Sequence, residues 1–240
     1  MSSFYLRVYQ RLPEFLKRRI NPLDYAIEDF VKTAAAGQPR KRVLDAGAGE
    51  ARFAGYFSEH FYVSLDSCIG DALWDYSRIR VIADLAALPL REDTVDTALN
   101  IQVLEHVPDP AAVLGELYRV LRRGGRLYLT APQGWAEHQQ PHDFYRFTRY
   151  ALKRLLAQAG FKHIEIEPLG GYFHYLGHRL TYAPKVLFPP LPRAIRVLLF
   201  PLELAMLALF CVVFPITCYY LDSLDGNREF TLGYRCLAQK

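Results

Sequence analysis

No Cys-x-x-C pair occurs among the 240 residues, and none of the four cysteines, Cys68, Cys211, Cys218 and Cys236, stands at metal-like spacing from a histidine. That argues against a disulfide framework and a zinc module, and it fits a reducing, cytoplasmic setting. An excess of one charge is missing too. The 29 Lys and Arg against 25 Asp and Glu leave a net +4, too little to demand a polyanionic partner. There is no basic run interleaved with aromatics, no added RNA-binding module and no Asn-Pro-Pro-Tyr-like motif, so nucleic acid is not expected as a partner. Repeats and low-complexity tracts are absent. The opening stretch "MSSFYLRVYQRL" lacks the unbroken apolar core of a secretory signal, because arginines interrupt it. What is present is 51% hydrophobic and 22% charged, the balance of a folded chain able to bury one sizeable core.

Seven apolar runs read as strands: "KRVLDAG", "FYVSLD", "RIRVIAD", "TVDTALNI", "GRLYLTAP", "FKHIEIEPL" and "FTLGYRCLAQ". Helical patterns separate some of them. In "PAAVLGELYRVLRRGG", Pro110 suits the first helical turn, Val113, Leu114, Leu117, Val120 and Leu121 form a stripe, and Gly124 is a stop. A second helix is predicted from a Thr148 cap to Gly160. Alternation of this kind predicts an α/β doubly wound sheet with helices on both faces and the first five strands parallel.

The first strand runs straight into "VLDAGAGEARF", an acid followed by a glycine turn. In a doubly wound sheet, ligands bind beyond the carboxyl ends of the strands, where a glycine-rich turn lets backbone approach. A dinucleotide site would place a third glycine at position 52, where Arg52 stands. Asp45 beside Gly47 and Gly49 would repel a pyrophosphate and suit an ammonium group. Asp66, 21 residues further on, ends the second strand where an acid reaches both ribose hydroxyls. Read alone, its alternative role is that of a helix cap. Asp84 ends the third strand, and Leu85 next to it offers an apolar wall for a purine. A nucleoside carrying an amino-acid cation is S-adenosylmethionine.

Residues 40–171 resemble a class I S-adenosylmethionine-dependent methyltransferase of the methyltransferase-11-like kind, and the resemblance returns at residue 230. "VLDAGAGEARF" is similar to the family's first motif, "VSLD" to its ribose acid and "IADLAALPL" to its adenine segment. "NIQVLEHVPDPAAVLGELYRVLRRGGRLYLTAP" is similar to its fourth-to-fifth-strand region. Ala51 departs from the family's third glycine. The resemblance implies a Rossmann-like seven-stranded sheet with strand 7 antiparallel. It also implies cofactor contacts from Asp45, Gly47, Ala48, Gly49, Asp66, Ser67, Asp84, Leu85, Asn100 and Gln102.

Methyl transfer needs alignment and desolvation, and an oxygen acceptor can use a base. The loop "PQGWAEHQQPHDFYRFT" after the fifth strand supplies candidates in His138, His142, Asp143 and Tyr145, with His142 as base and Asp143 as its orienting acid. "HDFYRFT" resembles a loop of methyltransferases associated with cell-envelope glycan and lipid synthesis. His138, His142 and Asp143 could instead ligate a metal, but Pro141 separates the histidines and no clear fourth ligand is seen, so no metal is expected. His106 in "LEHV" reads as a packed or capping residue.

Between strands 6 and 7 the sequence inserts a proline-punctuated apolar segment, residues 172–228. Residues 197–221 hold one charged side chain, Glu203, and as a straight helix would measure about 37 Å, enough for a bilayer core of about 30 Å. The last strand must nevertheless pair with its sheet. The segment is therefore expected to enter and return, or to lie in the interface, with Pro201 and Pro215 as breaks. A dimer interface and a lid over an apolar substrate are the alternatives. Residues 1–36 are read as amphipathic helices forming a lid or anchor, and residues 37–240 as the methyltransferase domain. The resulting expectation is O-methylation of a lipid-borne or apolar acceptor by a protein peripheral on the inner face of the membrane. The alternatives are a soluble small-molecule methyltransferase with a hydrophobic dimer interface and a cofactor-binding scaffold without turnover.

Overall fold

A computed structural model describes residues 9–70, 73–187 and 193–240. The chain divides into two compact units. One comprises Ile27–Pro168 and Gly233–Lys240, the other Met1–Ala26 and Leu169–Leu232. The division differs from the 1–36 and 37–240 boundary expected from sequence, because the inserted segment groups with the N-terminal residues.

In the first unit, strands β1 (Arg42–Ala46), β2 (Phe61–Asp66), β3 (Val81–Ile82), β4 (Val95–Ile101), β5 (Leu121–Pro132), β6 (Lys162–Pro168) and β7 (Gly233–Gln239) form one sheet. Their order is β3-β2-β1-β4-β5-β7-β6. β1 to β5 are parallel, and β7 enters antiparallel between β5 and β6. The doubly wound sheet with an antiparallel seventh strand is thus borne out. The order reverses between β1 and β4, which lie side by side. There the chain departs in opposite directions and leaves a crevice at the carboxyl ends.

Alternation along β5 sends Leu127, Leu129 and Ala131 into the main core and Tyr128 to the opposite face. The main core is completed by two helices. α3 (Pro110–Val120) contributes Val113, Leu114 and Leu117, and α4 (Arg149–Gln158) contributes Leu152 and Leu156. Both start as expected. Asp109 accepts from the amides of Ala111 and Ala112 ahead of Pro110, and Thr148 accepts from Ala151. On the other face, Phe30 of α2 (Pro22–Ala35) lies 5.2 Å from the Tyr128 ring. The expected alternation fails at the near edge. Among the described residues, the links from β1 to β4 carry only 3₁₀ turns, Ala54–Phe57 and Tyr76–Arg78.

In the second unit, α1 (Glu14–Ile20) meets a bundle of α5 (Tyr172–Leu180), α6 (Ala183–Leu187), α7 (Arg193–Ala208) and α8 (Phe214–Leu221). Arg19 donates to the Tyr220 hydroxyl and lies over the Tyr219 ring. Gly177 lets α5 close onto α8, since a Cβ there would come within 3.0 Å of Cys218. Asp222 accepts from the amides of Gly171 and His174 at the start of α5, an anionic cap at a helix N-terminus. The apolar segment does not break at its prolines. Pro201 sits inside α7, and Pro215 opens α8 after a π-helical turn, Leu209–Val213, so the helical run is continuous. Proline at the first turn of a helix leaves no amide unsatisfied, and a π-turn absorbs the register change that a proline imposes.

Candidate functional site

The crevice is lined first by the turn after β1. Gly47 and Gly49 have φ of +85° and +54°, and a Cβ on Gly47 would lie 2.5 Å from Val103. A Cβ on Gly49 would press the Trp74 ring at 3.0 Å. The glycines are therefore required by backbone conformation and by close approach. The amides of Gly47 and Ala48 donate to the Leu65 carbonyl, tying the turn to β2. Ala51 also has positive φ, +52°, and is almost fully buried. The family's glycine is thus replaced at a position whose conformation favours glycine, a larger departure than one added methyl.

Asp45 is buried and accepts from the Tyr62 hydroxyl at 2.5 Å. Burial lifts its carboxyl to about 6. The Tyr62 hydrogen bond pulls it down and the nearby Asp66 charge adds to the rise. A carboxylate held in that state gains most from a cation beside it. Asp66 accepts the amide of Gly49 at 2.8 Å through one oxygen and that of Cys68 at 2.7 Å through the other. Each oxygen keeps a further lone pair for a hydroxyl donor. Ser67 is exposed beside it.

The remaining expected cofactor residues divide. Asp84 is exposed, two residues past the end of β3, and its side chain caps the local turn at Ala86. Leu85 buries its side chain in the main core, so a polar contact with a ligand would come from its backbone. Asn100 stands near the carboxyl end of β4. It is wholly buried and its Nδ2 donates to the Ala46 carbonyl at 3.0 Å, a strap between the carboxyl ends of β4 and β1. Gln102, at φ +55°, donates from both its backbone and its side chain to the Thr130 hydroxyl.

The loop after β5 holds a second cluster. Asp143 is paired bidentately with Arg146 at 2.7 Å per bond and accepts the His138 amide. The Arg146 guanidinium holds its carboxyl well below the usual range. Asp143 therefore serves Arg146 and His138 and does not orient His142, a correction to the expected pair. The His142 side chain is exposed, while its carbonyl meets Nδ1 of His106 at 2.5 Å. The Tyr145 hydroxyl is committed to the Pro108 carbonyl. His106 and His138 meet instead, Nε2 to Nε2, at 3.0 Å. Behind them stands Glu105, wholly buried, with neither carboxylate oxygen partnered. Burial pushes its carboxyl up to about 8 and holds His106 below its ordinary value. Sequence reasoning passed over Glu105 and gave His106 a packing role. The available signal was an acid and a histidine adjacent at the carboxyl end of β4, facing the histidine-rich loop.

Residues 44–129 match the sequence profile of a methyltransferase domain family. The matched stretch runs from β1 into β5 and includes the turn after β1, and the sheet order is that of the Rossmann-like methyltransferase fold. A probable S-adenosylmethionine-dependent methyltransferase of Mycolicibacterium smegmatis is 32% identical over 147 residues, 56% of each chain. One of Mycobacterium tuberculosis is 32% identical over 144 residues, 55% of this chain and 52% of that one. The chain thus spans about half the length of the curated relatives it matches. A solved S-adenosylmethionine-dependent methyltransferase from Archaeoglobus fulgidus shares the fold with a TM-score of 0.56. It is 14% identical, with 94% of this chain and 99% of that one covered.

Proposed function

We propose that the protein transfers the methyl group of S-adenosylmethionine to an oxygen of a lipid-borne or otherwise apolar acceptor at a membrane surface, on the cytoplasmic side. The observation that carries the methyl-donor part is the β1 turn, in which a buried acid of raised pKa and two conformationally required glycines stand beside Asp66. Asp45 attracts the cationic cofactor, the absence of side chains at Gly47 and Gly49 lets it approach the backbone closely, and Asp66 accepts from the ribose. Ser67 and Asp84 flank the nucleoside. The sulfonium already activates the methyl carbon, so the protein's task is to align an acceptor and exclude water.

An oxygen acceptor is supported by the imidazoles beyond β4 and β5. His106 is kept neutral by burial, the form that takes a proton from a hydroxyl, and such a base contributes about 10²- to 10⁴-fold. His138 shares this role, and His142 contributes its carbonyl. Apolar character in the acceptor is supported by the helical run Leu198–Leu224, whose most apolar window has mean hydropathy 2.3 and is only 11% buried. The four cysteines are all free, consistent with a reducing compartment. The "HDFYRFT" resemblance supports an envelope lipid or glycan as acceptor.

Incubation with a methyl-labelled donor and fractionated lipid and metabolite extracts tests the reading. Label is expected in an apolar fraction, through a base-stable ether or an ester. Label confined to polar metabolites would favour a soluble small-molecule enzyme, and tight cofactor binding with no label anywhere a scaffold.

A further inference from the structure

The His106 and His138 rings stand nearly perpendicular, and each sets its Nδ1 against a carbonyl oxygen. Nδ1 of His106 points at the His142 carbonyl and Nδ1 of His138 at the Ala136 carbonyl, 3.1 Å away. A carbonyl oxygen only accepts, so both Nδ1 atoms carry protons. In neutral rings both Nε2 atoms then present lone pairs, and these face each other across 3.0 Å. The unpartnered Glu105 carboxylate joins them, with Oε1 3.8 Å from Nε2 of His106. One ligand atom from each residue lies within 4.8 Å of the others. Two imidazole lone pairs repel each other at that distance, and a positive charge among the three donor atoms, one buried and two half-buried, relieves that repulsion.

We propose that Glu105, His106 and His138 bind a divalent cation of the zinc type through two imidazole nitrogens and one carboxylate oxygen, leaving a fourth position open. Bonds of about 2.0 to 2.2 Å in a tetrahedral site put ligand atoms roughly 3.3 to 3.6 Å apart. The separations of 3.0 and 3.8 Å bracket that range. Two nitrogens and one oxygen suit a borderline transition ion, whereas magnesium and calcium take oxygen throughout. An outer shell is in place. The His142 and Ala136 carbonyls fix the two rings, and Asp143, clamped by Arg146, stands 3.4 Å from Nδ1 of His138. Such partners hold ligand imidazoles in the metal-binding tautomer. Sequence reasoning looked for ligands in His138, His142 and Asp143. The geometry keeps His138 and replaces the others by two residues from the end of β4. The site is argued from donor geometry alone; while the ion is bound, the Nε2 lone pairs of His106 and His138 are committed to it, so neither ring then serves as base for an oxygen acceptor.

The test uses the full chain, stripped with a chelator and titrated with Co²⁺ in the visible region and with Zn²⁺ in a calorimeter. One equivalent of Co²⁺ should give the intense d–d bands of a four- or five-coordinate nitrogen and oxygen site, bleached by Zn²⁺. Zn²⁺ affinity should fall more than about 100-fold in Glu105→Gln and His138→Ala and about tenfold in Asp143→Asn. Only the weak spectrum of hydrated Co²⁺ with wild-type protein would overturn the proposal and leave a proton shared between the imidazoles. Thiolate charge-transfer bands would move the metal to a cysteine and equally overturn it. Both readings come from the wild-type protein, so a variant that fails to fold leaves the decision intact.

Discussion

At the residue scale, Asp45 sets binding against stability. Its folded pKa of about 6 stands above the ordinary carboxylate value of 3.8, so the folded state holds the proton more tightly than the unfolded one. Stability present below about pH 4 is therefore lost as pH rises through about 6, on the order of 3 kcal/mol at about 1.4 kcal/mol per unit. Asp45→Asn should make the ligand-free protein more stable at pH 7, by about 1 to 3 kcal/mol, because no buried charge then forms. It should also weaken S-adenosylmethionine binding and abolish the rise in affinity expected of wild type between about pH 5 and 7. Denaturant melts and calorimetry across that range measure both; a variant less stable than wild type, with its pH dependence intact, would contradict the assignment. The strand-end acids were legible in sequence because each follows a short apolar run that can hardly be anything but a buried strand. Glu105, His106 and His138 were not, because their meeting depends on a loop path over 32 residues that no local pattern specifies.

At the scale of the element, all seven strands were legible. The central strands β1 and β4 are compact apolar runs that the sheet buries on both faces, whereas the edge strands β3 and β6 stay half-buried or exposed. Between β1 and β2 the 3₁₀ turn Ala54–Phe57 buries only Phe57, too few apolar positions to sustain a helical stripe. The inserted helix gives the sharpest contrast. Its C-terminal part is packed, with Cys211, Pro215 and Cys218 buried, while Leu198, Phe200, Leu202 and Leu204 are exposed. Sequence hydropathy could not separate these parts, and Leu207, Phe210 and Phe214 are only partly exposed. Replacing Leu198, Phe200 and Leu202 by serine should release the protein from anionic vesicles without shifting its melting temperature by more than a few degrees. Apolar side chains of this size contribute roughly 1.5 to 3 kcal/mol each when buried, and exposed ones lose little in the free protein. Flotation on a density gradient reads the first effect. A wild-type chain that never floats would remove the membrane surface from the account.

At the scale of the whole molecule, the chain leaves the sheet after Pro168 and returns at Gly233, and Pro168 pairs with Tyr234 across the β6–β7 ladder. The insertion thus begins and ends next to paired residues of neighbouring strands, and the sheet keeps the strand order of the methyltransferase fold. A single membrane crossing within the insertion conflicts with that pairing, whereas docking along an exposed apolar face does not. The central claim is that the crevice at the carboxyl ends of β1 and β2 holds S-adenosylmethionine, and calorimetric titration with its demethylated product, S-adenosylhomocysteine, tests it most directly. Wild-type protein should bind one equivalent. Gly49→Val should lose binding, since a side chain there meets Trp74 at positive φ. Asp66→Ala should bind at least about tenfold more weakly, having lost charge-assisted hydrogen bonds of about 1.5 to 3 kcal/mol each. Unchanged affinity in both variants, or no binding by the wild type, would contradict the account.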